Sequence, residues 1–183
     1  MLHLKDYESG YTFEKSTYNL IEKDLQERLY ILLGEAFKHN LANIIVLEGW
    51  AASGRGDMLK IITTRLDPRK FRVHSFENSD EKGRPFLCKY WTQLPAFGET
   101  AIMDGSWYSR VSHDKITKSI SKEEYKNSFH SILNFEKLLT NDNYMIQKFF
   151  LHITAREQRN RLKKAKESGK KWLISDGDWE QFE

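Results

Sequence analysis

The chain has 183 residues, of which 39% are hydrophobic and 30% charged, and a formal net charge of +3. This length suits one compact domain with a sizeable core. The lack of any run of 18 uncharged apolar residues argues against a membrane span, and the acids near Met1 argue against a signal peptide. The single cysteine, Cys88, excludes an intrachain disulfide and suits a reducing compartment, so we expect a cytoplasmic protein.

The first half of the chain alternates between helical and extended patterns. Residues 17–39 predict a helix whose buried face is formed by Leu20, Ile21, Leu25, Leu29, Leu32, Leu33, Ala36 and Phe37. The β-branched run 43–47 predicts a buried parallel strand. A glycine-bearing loop follows, then a helix that stops at Asp67-Pro68, and residues 71–76 alternate as a second strand.

The second half continues the same alternation. We expect a helix over residues 85–94, a strand over 99–104, a helix over 123–139 and a strand over 144–153. Thr154 and Glu157 have the spacing of a capping box and open the last helix. Strands alternating with helices predict an α/β fold with a parallel sheet covered on both faces. Ligands of such sheets bind beyond the carboxyl ends of the strands.

The segment Gly49-Trp-Ala-Ala-Ser-Gly-Arg-Gly56 joins the first strand to a helix. Two glycines four residues apart let backbone N–H groups wrap a phosphate at a helix N-terminus. The usual motif continues with lysine and then a hydroxyl residue, where this chain has Arg55 and Gly56. Arginine still pairs with phosphate through two N–H groups. The alternative is a plain turn between strand and helix.

Asp104 ends the apolar third strand, as the Walker B acid of a phosphate-transferring site does. Such an acid holds Mg²⁺, which neutralises charge on the transferred group. The alternative is an acid that caps the next helix. Arg110 lies six residues further on and would reach the same phosphates, or else it is an ordinary surface arginine.

Basic residues are concentrated near the end of the chain. A polyanion would be attracted to the strip formed by Arg156, Arg159, Arg161, Lys163, Lys164, Lys166, Lys170 and Lys171. The alternative is a solvated helix face with a basic last turn, which suits the helix dipole. The overall charge of +3 does not by itself argue for nucleic acid, and we expect none as a partner.

Taken in order, these segments resemble the polyphosphate kinase 2 family. That family has a loop of the form Gly-x-Asp-x-x-Gly-Lys-Gly and a second segment like Asp-Arg-Ser-Trp-Tyr-x-Arg-Val, where this chain has residues 49–56 and Asp104-Gly-Ser-Trp-Tyr-Ser-Arg-Val111. Further segments match in the family's order, namely 66–69, 71–73, the lid-like 79–81, 84–87, 90–91, 94–95, 98–99, 134–136, 148–153 and 157–158. The resemblance covers nearly the whole chain from Thr17 to Trp179.

The resemblance implies a three-layer α/β/α fold, P-loop kinase-like and thymidylate-kinase-like, with a helical lid. Residues 1–183 would form a single domain without the C-terminal helical segment of single-domain members. The implied activity moves a phosphoryl group between inorganic polyphosphate and a nucleoside mono- or diphosphate, with Mg²⁺ as cofactor, in a homo-oligomer. The implied catalytic residues are Arg55, Asp104 and Arg110, with Asp104 as the metal ligand. Gly49, Ser53, Gly54, Arg55 and Gly56 would bind phosphate or nucleotide, and Lys60, Arg110 and Arg161 would bind polyphosphate.

Three positions depart from the family pattern. Ala51 replaces an aspartate, Arg55 a lysine and Gly105 an arginine, as in the non-catalytic half of double-domain members. Glu48 and Asp57 flank the loop, but neither occupies the position of the lost carboxylate. The hypotheses are therefore a working phosphotransferase, a catalytically silent polyphosphate-binding or dimerisation module, and an unrelated P-loop kinase for a small metabolite.

Overall fold

A computed structural model of the chain describes residues 4–7, 11–76 and 83–168. Helices and strands alternate in these residues, as the hydropathy pattern predicts. Their order is α1 (Lys15–Lys38), β1 (Ala42–Gly49), α2 (Arg55–Thr63), β2 (Phe71–Ser75), α3 (Cys88–Trp91), β3 (Thr100–Asp104), α4 (Trp107–Ile116), α5 (Lys122–Asn141), β4 (Tyr144–Leu151) and α6 (Ala155–Glu167). No helix in the described ranges combines the length and apolar composition that a membrane crossing requires.

The four strands form one parallel sheet in the order β2-β3-β1-β4. The β-branched strand β1 therefore lies inside the sheet, between β3 and β4. Leu47 near the end of β1 is paired with Asp104 at the end of β3 on one side and with Phe149 of β4 on the other. This register brings the carboxyl ends of the inner strands together, where a parallel sheet binds its ligands.

Helices cover both faces of the sheet. Ile44 and Val46 of β1 pack on one face with buried side chains of α3, α4 and α5, including the fully buried Trp107. Ile45 and Leu47 of β1 face the other way and pack with residues of α2 and with Leu29 of α1. Successive residues of a strand point to opposite faces, so β1 contributes to both cores. The predicted three-layer α/β/α architecture is confirmed.

The buried face predicted for α1 is largely wrong. Of its eight apolar residues only Ala36 is buried and Leu29 and Leu33 are half-buried, while the exposed ones are Leu20, Ile21, Leu25, Leu32 and Phe37. The polar Gln26 is buried instead, and its side-chain amide donates to the Ile61 carbonyl at 3.0 Å. Helix α1 packs on α2 and β1 along a narrow face, so most of its apolar surface meets no described residue.

Other differences concern the ends of elements. The helix predicted over 85–94 is one turn, Cys88–Trp91, and the lid-like segment 79–81 lies outside the described residues. Helix α4 is not predicted by apolar spacing; it begins where Ser106 and Ser109 form a reciprocal capping box. Thr154 caps α6 as expected, since its hydroxyl accepts from the Glu157 amide at 3.2 Å, but the Glu157 carboxylate binds Arg161 at 2.6 Å.

Candidate phosphate-binding site

The loop between β1 and α2 leaves the sheet at Gly49. This glycine has φ of +149°, and a β-carbon placed on it would lie 2.5 Å from the Leu151 carbonyl oxygen. Glycine suits this position because it has no β-carbon, so it tolerates both the positive φ and the close approach of the two backbones. The next residue anchors the loop on the segment that ends β4, because the indole N–H of Trp50 donates to Nδ1 of His152 at 2.8 Å. His152 thus has a structural partner in the loop.

Side chains of helix α6 hold the outer side of the loop by donating hydrogen bonds to the carbonyl groups of the loop. The side-chain amide of Gln158 donates to the Ala51 carbonyl at 3.1 Å. Nη1 of Arg161 donates to the Ala52 carbonyl at 3.3 Å and to the Ser53 carbonyl at 3.1 Å. The structure therefore brings Arg161 to the loop, where its guanidinium helps to fix the loop's shape. Its role in binding polyphosphate stays a prediction.

The inner side of the loop presents hydrogen-bond donors. Gly54 is the N-cap of α2 with φ of +103°, and the first amide to bond back is that of Met58, to the Gly54 carbonyl at 2.9 Å. The amides of residues 55–57 therefore have no intrahelical acceptor, as at any helix start. Ser53 is only 7% exposed, and its hydroxyl has no hydrogen-bond partner among the described residues. A buried unpaired hydroxyl beside a helix N-terminus suits an anion.

Asp104 lies across from this loop at the end of β3. Its Oδ1 is buried without a hydrogen bond in the part of the chain that the structure describes, and Nε of Arg55 lies 3.4 Å away. Among all the residues that the structure describes, there is no cluster of three or more His, Cys, Asp or Glu side chains able to hold a metal. Mg²⁺ often takes one or two carboxylates together with water and substrate phosphates. Asp104 therefore fits Mg²⁺ as a ligand shared with bound phosphate.

Glu48 is a site residue to which the sequence analysis gave no role. It follows Leu47 at the end of β1, and its carboxylate accepts from the Ser106 hydroxyl at 2.5 Å and from the Ser109 amide at 3.3 Å. Burial raises the pKa of the Glu48 carboxyl, and these hydrogen bonds and the charge of Arg55 oppose that rise. In the sequence, Glu48 is recognisable as a candidate because it is an acid near the end of a buried strand, directly before the loop.

The remaining predicted cations differ in their surroundings. Arg110 is only 7% exposed, and its Nε pairs with Asp114 one turn further along α4 at 2.7 Å. Lys60 is exposed on α2. Neither observation tests a role in binding polyphosphate, so both roles stay predictions.

A second polar group, also missed from sequence, fixes the start of α4. The Glu136 carboxylate accepts from the Trp107 indole at 3.1 Å, from the Tyr108 hydroxyl at 2.8 Å and from the Lys148 ammonium at 2.8 Å. These donors come from α4 and β4, and Glu136 comes from α5. The group ties the turn that follows Asp104 to the rest of the domain.

The parallel sheet between two helical layers, the glycine-bearing loop before α2 and the acid at the end of β3 define a three-layer α/β/α domain with a candidate phosphate-binding site at the carboxyl edge of its sheet. The family model described as polyphosphate kinase 2 matches residues 12–183, and the chain belongs to that family. The fold is similar to the crystal structure of polyphosphate kinase 2 from Arthrobacter aurescens, with a TM-score of 0.85 and 24% identity. That match covers 95% of this chain and 66% of the other.

Curated relatives are similar over most of this chain. The polyphosphate:AMP phosphotransferase of Pseudomonas aeruginosa is 28% identical over 180 residues, which are 96% of this chain and 36% of the relative. The ADP-polyphosphate phosphotransferase of the same organism is 34% identical over 140 residues, or 75% of this chain and 46% of the relative. The NDP-polyphosphate phosphotransferase 1 of Ruegeria pomeroyi is 30% identical over 148 residues, covering 76% and 48%. The chain thus spans less than half the length of each.

Proposed function

We propose that this chain transfers a phosphoryl group between inorganic polyphosphate and a nucleoside mono- or diphosphate. Its family and the names of its relatives support this activity. The observation that carries the proposal is a pair of buried polar atoms, Ser53 Oγ and Asp104 Oδ1, which have no hydrogen-bond partner among the described residues. They flank the N-terminus of α2, where the Ser53 hydroxyl would donate to a phosphate oxygen and the Asp104 carboxylate, which only accepts, would take Mg²⁺.

The chain's own residues bind and orient the reacting phosphates. The amides of residues 55–57 and the Ser53 hydroxyl would donate to the phosphoryl group, and Arg55 would neutralise its charge. The bond from the terminal phosphorus of polyphosphate to its bridging oxygen breaks, and its electron pair stays on the shortened polyphosphate. The same phosphorus bonds to a terminal phosphate oxygen of the nucleotide, which is already anionic and needs no general base. Bound Mg²⁺ would supply further charge neutralisation at Asp104.

Helix α6 supplies the surface for the rest of the polyphosphate. It fixes the loop through Gln158 and Arg161, and its exposed cations in the described range are Arg156, Arg159, Arg161, Lys163, Lys164 and Lys166. A row of cations that starts at the loop would hold a polyanion whose end reaches the reacting position. We assign the chain to the cytoplasm, in keeping with its single cysteine.

The exposed face of α1 supports a homo-oligomer. Tyr18, Ile21, Leu25 and Leu32 are 43–63% exposed and follow one another at helical spacing, so they form one apolar stripe. Asp24 and Arg28 pair on the helix next to this stripe at 3.9 Å, and an antiparallel second copy would bring opposite charges together there. Light scattering should detect dimers that Leu25→Glu dissociates and Leu20→Glu, away from the stripe, leaves intact. A monomeric wild-type chain would contradict this interface.

The activity is tested by incubating the purified chain with polyphosphate, Mg²⁺ and, separately, AMP, ADP, GMP and GDP. Chromatography should show a new nucleotide phosphate for at least one acceptor. Asp104→Asn should lower the rate by about 10²–10³, as loss of a preorganised charged group does. A chain that binds tripolyphosphate but forms no product would instead be a silent binding module, and the proposed activity would be wrong.

A further inference from the structure

Arg55 lies beside Asp104 in the candidate site. Its Nε lies 3.4 Å from Asp104 Oδ1, and its charge also opposes the rise in the pKa of the buried Glu48 carboxyl. The side chains of Arg55 and Asp104 are 32% and 25% exposed, so the pair lies at the mouth of the site. The guanidinium thus offsets the negative charge of Asp104, which a cation would use.

The contact between Arg55 and Asp104 is a loose one. Asp104 Oδ1 accepts no hydrogen bond from any described residue despite the nearby Nε, so attraction between charges holds the pair without an aligned hydrogen bond. Nη1 of Arg55 lies 3.8 Å from the place that a β-carbon on Gly105 would occupy. Because Gly105 has no side chain, the guanidinium has room beside the end of β3. An ion pair that is partly exposed and lacks an aligned hydrogen bond is exchanged at low cost.

A metal ion and Arg55 would compete for the same carboxylate oxygen. Position 51, at the front of the loop, is an alanine and contributes no second carboxylate. A cation approaching Asp104 therefore meets an already neutralised pair, unless the guanidinium first moves to another anion. Phosphate at the α2 N-terminus is such an anion, since Arg55 is the first residue of that helix.

We propose that Arg55 is the counter-ion of Asp104 and leaves it for phosphate when phosphate binds, so that phosphate and divalent metal bind cooperatively. This inference rests on the proposed function, because it uses the same phosphate position. It makes Arg55 a positioning residue for the metal as well as a phosphate ligand. The arginine in place of lysine then makes metal binding depend on substrate.

The test is the affinity of Arg55→Gln for two probes measured separately. The variant should bind Mn²⁺ alone, followed by electron paramagnetic resonance, about fivefold more tightly than the wild type does. The reason is that a partly exposed ion pair, which the variant lacks, is worth up to about 1 kcal/mol. Tripolyphosphate with EDTA, followed by calorimetry, should bind about tenfold more weakly, because a charge-assisted contact is lost. A merely structural role of Arg55 would weaken both, and would overturn the proposal.

Two controls separate the possible failures. Arg65→Gln removes an arginine that follows α2 and pairs with Glu27 of α1 at 2.6 Å, and neither affinity should change. Asp104→Asn, introduced into the Arg55→Gln chain, should abolish the tighter Mn²⁺ binding of that chain. If Asp104→Asn loses Mn²⁺ while Arg55→Gln binds it as the wild type does, the exchange is wrong and the site stands. If the wild type binds no tripolyphosphate, the proposed phosphate position itself is wrong.

Discussion

Gly49→Ala tests how the site loop is attached to the sheet. The added β-carbon would lie 2.5 Å from the Leu151 carbonyl oxygen and 2.9 Å from Ser53 Oγ, at φ of +149°. The serine side chain can rotate, but the Leu151 carbonyl belongs to β4 and cannot move without shifting the strand. The unfavourable φ costs about 1–2 kcal/mol. Overpacking against backbone adds about 1–3 kcal/mol, so we expect a loss of about 3 kcal/mol in the free energy of unfolding.

Gly34→Ala is the matched control for this substitution. Gly34 lies inside α1, and a β-carbon there would meet no described atom within 4 Å. In a helix interior this change should stabilise the chain by about 0.5–1 kcal/mol. Urea unfolding followed by tryptophan fluorescence measures both variants against the wild type. A Gly49→Ala variant within about 0.5 kcal/mol of the wild type, the range of neutral surface changes, would refute the close packing of loop and strand.

Two further predictions concern the environments of Glu48 and Glu136. Glu48→Gln keeps an acceptor for Ser106 and Ser109. Burial raises the folded-state pKa of the Glu48 carboxyl above its ordinary 4.5, so the wild type loses stability as pH rises above 4.5 and the variant does not. The variant's advantage in urea unfolding should therefore grow with pH above 4.5, and a constant difference would contradict burial of the charge. Lys148→Met leaves the Glu136 carboxylate without its ammonium partner and should cost about 1 kcal/mol. Glu136→Gln in the same chain should recover part of that loss, and additive effects in the cycle would show that the two residues are not coupled.

The sequence predicts the sheet and the place of the site well, because these follow from local patterns. The β-branched run of β1 is uncharged up to Glu48, and its burial between two strands follows from that. An acid that ends an apolar strand must lie at the carboxyl edge of a parallel sheet. The sequence therefore predicts that Asp104 lies beside the loop after β1, and this prediction requires no information on side-chain contacts.

Pairings between distant side chains are not contained in such patterns. Apolar spacing along α1 identifies one face of the helix but does not show whether another element covers that face. Leu25 was expected in the core on this basis, and it is exposed. The donation from the Gln26 amide to the Ile61 carbonyl at 3.0 Å joins α1 to α2, and no local pattern indicates it. The contact of Arg55 with Asp104 depends on the rotamer of a long side chain at the start of α2.

The fate of the terminal phosphoryl group tests the central claim most directly. Polyphosphate labelled at its terminal phosphate is incubated with the chain, Mg²⁺ and the accepted nucleotide, and the label is counted in each product. In the first turnover, direct transfer predicts one labelled phosphate on the nucleotide for each product molecule formed and no more inorganic phosphate than in the Asp104→Asn control. Label that appears as inorganic phosphate, or that remains on polyphosphate while the chain binds it, would contradict phosphotransfer at this site.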